Sequence, residues 1–336
     1  LYKSIGFFAL CLALCVFVGV SQASDESPAF QRLDDMEKVV YGEVKSGGLI
    51  SRLSDLEKSL FGRELPGTVA ERQTAVVNFL EKGSDTQPSL LFKLAIAEWI
   101  TEQRSQPSRP VTDRVRSLER KLEGEAMGEG PMAMRLERLL GLLITEPVRW
   151  ENLSLAQGTV VRVALSRTIS PSNVAVGDKV KGTLTTDLVI GTHLVAPKGS
   201  IAQGTVSKVS KPRSFGRPGE VSFVFDTLLP PSLGPVPLMV GEEAVKAAEA
   251  EKAQIAAAGG SLVGALLLGP VGLAGGFLVR GDVKEIPEGT IFHLEVGQQS
   301  SSLAYPVPEG LQSLIVPTEV VGAQNTEKPK SEVDSL

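Results

Sequence analysis

One motif recurs in this chain at an offset of twenty residues, and it decides what the first half can fold into. Arg32-Leu33-Asp34-Asp35-Met36-Glu37-Lys38-Val39-Val40-Tyr41-Gly42 returns as Arg52-Leu53-Ser54-Asp55-Leu56-Glu57-Lys58-Ser59-Leu60-Phe61-Gly62. A weaker third copy begins at Arg72 and ends near Gly83, a fourth runs from Arg114 to Gly124, and a degenerate fifth from Met132 to Gly141. Gly47 and Gly67 also fall at matching positions. In each clear copy the apolar residues sit at i, i+3 and i+7: Leu33, Met36 and Val40; Leu53, Leu56 and Leu60; Val115, Leu118 and Leu122. That spacing gives a short helix with one apolar face. The closing glycine suits the left-handed residue just past a helix end. Helices this short are marginal alone, so the copies must pack on one another. Pro88 to Gln103 reads as a longer helix with Leu90, Leu91, Leu94 and Ile100 on its buried face and Trp99 nearby; Ser105 to Pro110 breaks it. A helical repeat domain is expected over 28–148. Its Arg, Glu and Lys positions read as solvated faces, with ion pairs worth about a few tenths of a kcal/mol. The array serves either as a protein-contact surface or only as its own core.

The first residues look like an address. Lys3 precedes an apolar run from Ile5 to Val20, and Ser21-Gln22-Ala23 supplies the small residues of a cleavage site. This predicts a secretory signal peptide over 1–23; an uncleaved membrane anchor is the other reading, since the run nearly reaches spanning length. Cys11 and Cys15, the two cysteines of the chain, both lie in this run. A cleaved protein would hold itself together without disulfides in a compartment that permits them. The net charge of -5 and pI near 5.4 give no basic excess for a phosphate backbone, so nucleic acid is not an expected partner.

From Leu153 the texture changes. Thr159 to Leu165, Lys179 to Leu184, Asp187 to Ile190, Ile201 to Val209 and Val221 to Phe225 read as strands, punctuated by glycine and proline turns. Many short strands with regular turns predict a small barrel or sandwich over 153–300. The fold class is therefore α+β: short helical repeats, then a β domain. A C-terminal extension is expected over 301–336, largely disordered after residue 322.

Two resemblances bear on function. The helical copies resemble short Leu-Glu-x-x-x-Phe-Gly repeats of exported bacterial proteins, which carry no known role. The β region shows, in order, Gly158-Thr159-Val160-Val161-Arg162-Val163-Ala164-Leu165 with Thr168-Ile169-Ser170, then Pro197-Lys198-Gly199-Ser200 and Gly204. Val221 to Phe225 with Leu228-Leu229-Pro230-Pro231 follow, and Ile286-Pro287-Glu288-Gly289-Thr290 opens a last strand. Over roughly residues 155–297 this order resembles the C-terminal domain of the TrbI-like family, outer-membrane core scaffolds of type IV secretion and conjugation machines. The resemblance implies an envelope location, self-association or envelope-machinery partners, and no catalysis. This chain departs from the family in having helical repeats where a long proline-rich stretch would span the periplasm.

An insertion separates the last two of these motifs. Glu242 to Lys252 is a strong helix former. It runs into Ala253 to Val279, which carries no charge. Gly260 and Gly264, and again Gly272 and Gly276, have the spacing that lets helices approach closely in lipid. Leu266, Leu267, Leu268 and Phe277 supply apolar bulk, and Gly269-Pro270 bends or turns the chain. Three readings stand: one kinked spanning helix, a hairpin that dips into a membrane or assembles with its copies, and a glycine-rich hairpin buried on the domain. In the TrbI-like family an insertion at this place forms a helical hairpin that crosses the outer membrane within a multimer. These residues are the candidate membrane and assembly site.

No P-loop, dinucleotide fingerprint, zinc-protease or nucleophile-elbow motif is present. No cofactor or metal is expected. His193 falls in a turn and His293 in a strand. Asp178, Asp187 and Asp226 near strand ends are the remote candidates for a hydrolytic carboxylate pair. Lys208, Lys211, Arg213 and Arg217 decorate a hairpin loop that reads as solvated, with an anionic-lipid contact as the sharper reading. The expected role is a non-enzymatic envelope scaffold, with a soluble periplasmic adaptor as the alternative.

Overall fold

The structure is a computed structural model and describes residues 27–210, 220–232, 234–257, 277–279 and 285–315. The expected signal peptide and the tail after 322 lie outside these residues. The architecture is mixed α+β, with helices first and a β domain after them.

Each of the five repeat copies forms a helix, and so does the longer segment between the third and the fourth. These are α1 (Pro28–Tyr41), α2 (Leu49–Phe61), α3 (Val69–Val77), α4 (Leu90–Glu102), α5 (Val111–Leu122) and α6 (Met132–Leu143). A π-helical turn over Asn78–Lys82 continues α3. The i, i+3, i+7 residues are buried in α1 and α2, as are Val115 and Leu118 in α5. Gly42 and Gly62 close α1 and α2 at φ 82° and 77°. They abut Pro110 and Pro131, the residues that open α5 and α6. Helix α4 departs from the one-faced expectation. Phe92, Leu94, Ala95, Ile96, Ala97 and Trp99 are all buried, because α5, α6 and the π turn pack around it. A helix apolar all round belongs inside.

The charged repeat positions correct the expectation of solvated faces. Four of these arginines and four of these glutamates are buried and form forked pairs from one helix to the next. Arg52 donates Nε and Nη2 to Glu37 at 3.1 and 2.7 Å, and Arg72 repeats the geometry on Glu57 at 2.9 and 2.7 Å. Arg114 clasps Glu98 at 2.8 and 2.8 Å, and Arg135 clasps Glu119 at 2.7 and 2.6 Å. Three of these glutamates also take loop N–H groups: Lys45 on Glu37 at 2.7 Å, Leu65 on Glu57 at 3.0 Å, Gln106 on Glu98 at 2.9 Å. Pairing to Glu37 outweighs burial and holds the Arg52 guanidinium well above its usual range. A carboxylate so placed satisfies a helix partner and the connecting loop together. That is why the period is fixed in residues and not merely in hydrophobicity.

The β domain contains β1 (Glu151–Leu155), β2 (Val160–Leu165), β3 (Lys179–Leu184), β4 (Leu188–Ile190), β5 (His193–Ala196), β6 (Ile201–Ser210), β7 (Glu220–Leu229), β8 (Val236–Met239), β9 (Phe277–Val279), β10 (Ile291–Val296) and β11 (Ser300–Pro306). Strands β6-β3-β2-β10-β8-β7 form a closed six-stranded antiparallel barrel, sealed by the β6–β7 pairing, with β9 added on β7. Phe223, Phe225 and Phe292 meet edge-on in its core at 5.4–5.7 Å. The sequence reading missed β1, β5, β8 and β11; the last three each lie beside a turn or proline signal that masks a short strand. The expected C-terminal extension thus begins inside β11, and the 3-10 turn Glu309–Leu314 packs on the helices.

Strands β1-β11-β5-β4 make a second sheet that joins the two halves. Its faces alternate. Val195 and Ala304 enter the barrel core, while Leu194 and Tyr305 enter the helical core. The seam is also polar. The Trp99 indole donates to Asp187 Oδ2 at 2.8 Å and the Lys198 N–H to Oδ1 at 2.6 Å. Ser105 N–H reaches the Lys198 carbonyl at 2.7 Å. A Cβ on Gly199 would collide with the Ser105 carbonyl, so this turn admits only glycine. Burial raises the Asp187 carboxyl above its ordinary range, opposed by the Lys198 N–H, the Trp99 indole and the Lys198 charge.

Two outcomes follow from these contacts. Arg72→Met alone leaves Glu57 charged and buried, and is expected to cost about 3–5 kcal/mol in urea unfolding. The Glu57→Leu/Arg72→Met pair recovers part of that loss; a double variant that shows the full sum of the single losses would refute the coupling. Asp187→Ala orphans two buried donors and is expected to cost about 1–3 kcal/mol, read from the Trp99 fluorescence transition.

Candidate functional site

The glycine-rich insertion leaves the barrel through α7 (Glu242–Ala257) and returns through β9. Of the candidate assembly residues, Gly260, Gly264, Leu266, Leu267, Leu268, Gly269, Pro270, Gly272 and Gly276 lie outside the described residues. Phe277 is described, and it opens a strand. Phe277, Leu278 and Val279 pair with Phe223, Ser222 and Val221 of β7. The end of the charge-free run is therefore sheet, where its β-compatible Phe-Leu-Val sequence finds the free edge of β7. Among the described residues no helix is long and apolar enough to cross a membrane.

The start of the insertion is fixed by a polar strip on the outside of the barrel. Phe292, Leu294 and Val296 of β10 point into the core, so His293 and Glu295 point outwards. Both are nevertheless buried, because α7 lies over them. The Glu295 carboxylate accepts the Ala244 N–H at 2.9 Å, capping the first turn of α7. Further along, Glu251 of α7 accepts from Arg162 at 2.6 Å and pairs with His293 Nε2 at 2.7 Å. Arg162 and His293 face each other across the β2–β10 ladder. Ala244 is the one fully covered apolar side chain among the described residues of α7, so this strip carries much of the docking.

Helix α7 runs from Glu295 towards His293, and β9 joins β7 at residues 221–223. The helical domain instead touches the β domain at Asp187, Lys198 and Gly199, next to the start of β6. The Arg162–His293 clamp on α7 lies level with Thr185, two residues from Asp187, whereas the second flank, β9, stands at the barrel end away from the helices. The β6–β7 connection, with Lys211, Arg213 and Arg217 outside the described residues, leaves from that same end. Lys208 is paired with Glu220 at 2.9 Å.

The three remote carboxylates are engaged locally. Asp178 accepts the Ala175 N–H at 2.8 Å, Asp187 holds the seam, and Asp226 accepts from the Thr227 hydroxyl at 2.6 Å. His193, the first residue of β5, contacts Glu151 at 3.1 Å. Among the described residues no cluster of three or more His, Cys, Asp or Glu is placed to hold a metal. Sequence reading missed the Arg162–Glu251–His293–Glu295 strip. Its one signal was the alternation Phe-His-Leu-Glu-Val, which reads as a solvent face until α7 covers it.

Comparison with known proteins gives little. No family model matches the chain, and no curated protein matches it. Among solved structures, it is similar to ComB10 of the Com type IV secretion system of Helicobacter pylori, at 14% identity and a TM-score of 0.23. That likeness covers 46% of this chain and 92% of the other. Similarity at this level establishes neither a shared fold nor a shared role.

Burial lowers the pKa of His293 below its ordinary 6.5; the Glu251 charge and hydrogen bond oppose this, and Arg162 reinforces it. A released imidazole then binds protons more readily than the docked one. Docking of α7 should be fully supported above pH 6.5 and weaken as pH falls through the lower, docked value. Hydrogen-exchange protection of the α7 amides is expected to be lower at about pH 5 than at about pH 7.5, with the loss setting in below about 6.5, and His293→Gln to flatten that dependence. Protection that is unchanged or higher at the acid end would reverse the sign.

Proposed function

We propose that this chain is a non-enzymatic scaffold of the cell envelope. In this reading the barrel domain assembles with copies of itself or with envelope machinery. The glycine-rich stretch contacts the outer membrane or a neighbouring subunit. The observation that supports it is the anchoring of both flanks. A stretch without charge and rich in glycine lies in sequence between a helix clamped by Glu295, Arg162 and His293 and a strand hydrogen-bonded to β7. Both flanks are thus tied to the barrel, whereas a passive linker needs no clamp. Uncharged Gly-rich segments gain most from close helix approach or lipid contact. The sequence resemblance to TrbI-like scaffolds over roughly 155–297 points the same way, and the signal-like first segment fits export.

A soluble adaptor is the second reading. It is favoured by exposed apolar side chains on the helical domain, Ile50 at 62%, Met134 at 69% and Leu142 at 59%.

Fractionation separates the two. The scaffold reading expects the full chain to resist carbonate washing and to need detergent; recovery in the buffer-soluble fraction would remove the membrane contact. Deletion of 258–276, which spares α7 and β9, is expected to give a smaller particle by light scattering. An oligomer of unchanged mass would show that the stretch is not an assembly element.

A further inference from the structure

An open cleft of about 660 Å³ lies between the helices and the barrel, a size common for small-molecule sites. It is lined by α1, the π turn, α4, the connection into α5, β3, and the paired ends of β6 and β7 with the loop that follows them. Apolar groups make much of its wall: Val39, Leu91, Ala95, Ile201 and Leu229. Pro107, Pro110, Pro230, Pro231 and Pro235 line it as well. Prolines carry no N–H. These five positions therefore offer a bound peptide no backbone donor, and Ser105, Ser108, Ser200 and Ser232 are the hydroxyl groups of the wall.

The charges on the wall do not cancel. Arg114 is closed by its clasp to Glu98, and Lys38 stands 3.4 Å from Asp35. Arg109 donates to the Gln106 amide oxygen at 3.1 Å but has no carboxylate within pairing distance among the described residues, and neither has Lys181. Glu81 is the acid among the described lining residues. The cleft therefore combines a largely apolar, proline-rich wall with two cations that lack a counter-charge among the described residues.

We propose that this cleft binds an anionic amphiphile, with its apolar chain along Val39, Leu91, Ile201 and Leu229 and its carboxylate or phosphate head at Arg109 and Lys181. The chain displaces water from the apolar wall. The head makes charge-assisted hydrogen bonds to the guanidinium and the ammonium. Both domains line the cleft, so occupancy would reinforce the seam at Asp187. This inference is independent of the reading of the glycine-rich stretch.

The test is calorimetric titration of the full chain with hexadecanoate and with a lysophosphatidate, below their micelle concentrations. Acetate, inorganic phosphate and hexadecanol serve as partial ligands. Binding of at least one chain-bearing anion is expected, and the tighter of the two identifies the head group. The Arg109→Ala/Lys181→Ala variant is expected to weaken it about tenfold or more, as is Val39→Trp, which fills the wall from α1. Acetate, phosphate and hexadecanol should each bind far more weakly. The proposal is overturned if neither amphiphile binds, or if acetate or phosphate binds as well as its chain-bearing counterpart. It is equally overturned if both variants bind like the parent, since binding would then lie elsewhere, including on the insertion.

Discussion

The helical half of this protein depends on a buried carboxylate held by a guanidinium fork. Short helices cannot persist alone, and apolar faces would let neighbouring repeats slide in register. A forked Arg–Glu pair does not slide. It fixes distance and orientation together, and the glutamate also satisfies a loop N–H that would otherwise be orphaned. Two such clasps join α1, α2 and α3, and two more join α4, α5 and α6. In the last member of each trio the glutamate position holds Val77 or Leu140, so each run of clasps ends there.

That rigidity passes to the barrel through a sheet with two apolar faces. Because side chains alternate along a strand, Leu194 can pack on the helices while Val195 packs in the barrel. A sheet buried on both sides needs apolar residues at successive positions, and Leu194-Val195-Ala196 supplies them. The Trp99–Asp187 contact then sets where the helices meet this sheet. Burial in this seam is what raises the Asp187 pKa, against the Lys198 N–H and the Trp99 indole that hydrogen-bond it.

The same principle governs α7. A helix of alanine and glutamate offers little apolar area, so its place on the barrel rests on polar partners under cover. Those partners include the His293 imidazole, whose pKa burial lowers against the opposing Glu251 charge. The helical clasps use arginine, which stays charged throughout; α7 is held by an arginine, Arg162, and by a histidine, His293.

Much of this was legible in the residues. The twenty-residue period, the helix faces of Leu33, Met36 and Val40, the closing glycines and most barrel strands follow from local spacing, because local hydrogen bonding and side-chain direction fix them. The α+β class and the place of the insertion follow from the same signals. The burial of Glu57 and Arg72 did not, because a charged residue at a repeat position looks the same whether it faces water or a partner fifteen residues away. Nor did the strip under α7, since His293 and Glu295 alternate with apolar residues as a solvated strand would. Phe277 read as the end of an apolar helix until the edge of β7 gave it a ladder. The sequence by itself determined which segments are helix and strand, and where charge is absent. Only the tertiary structure decided which charges are buried and which cations line a cleft, because burial depends on what another part of the chain brings over them.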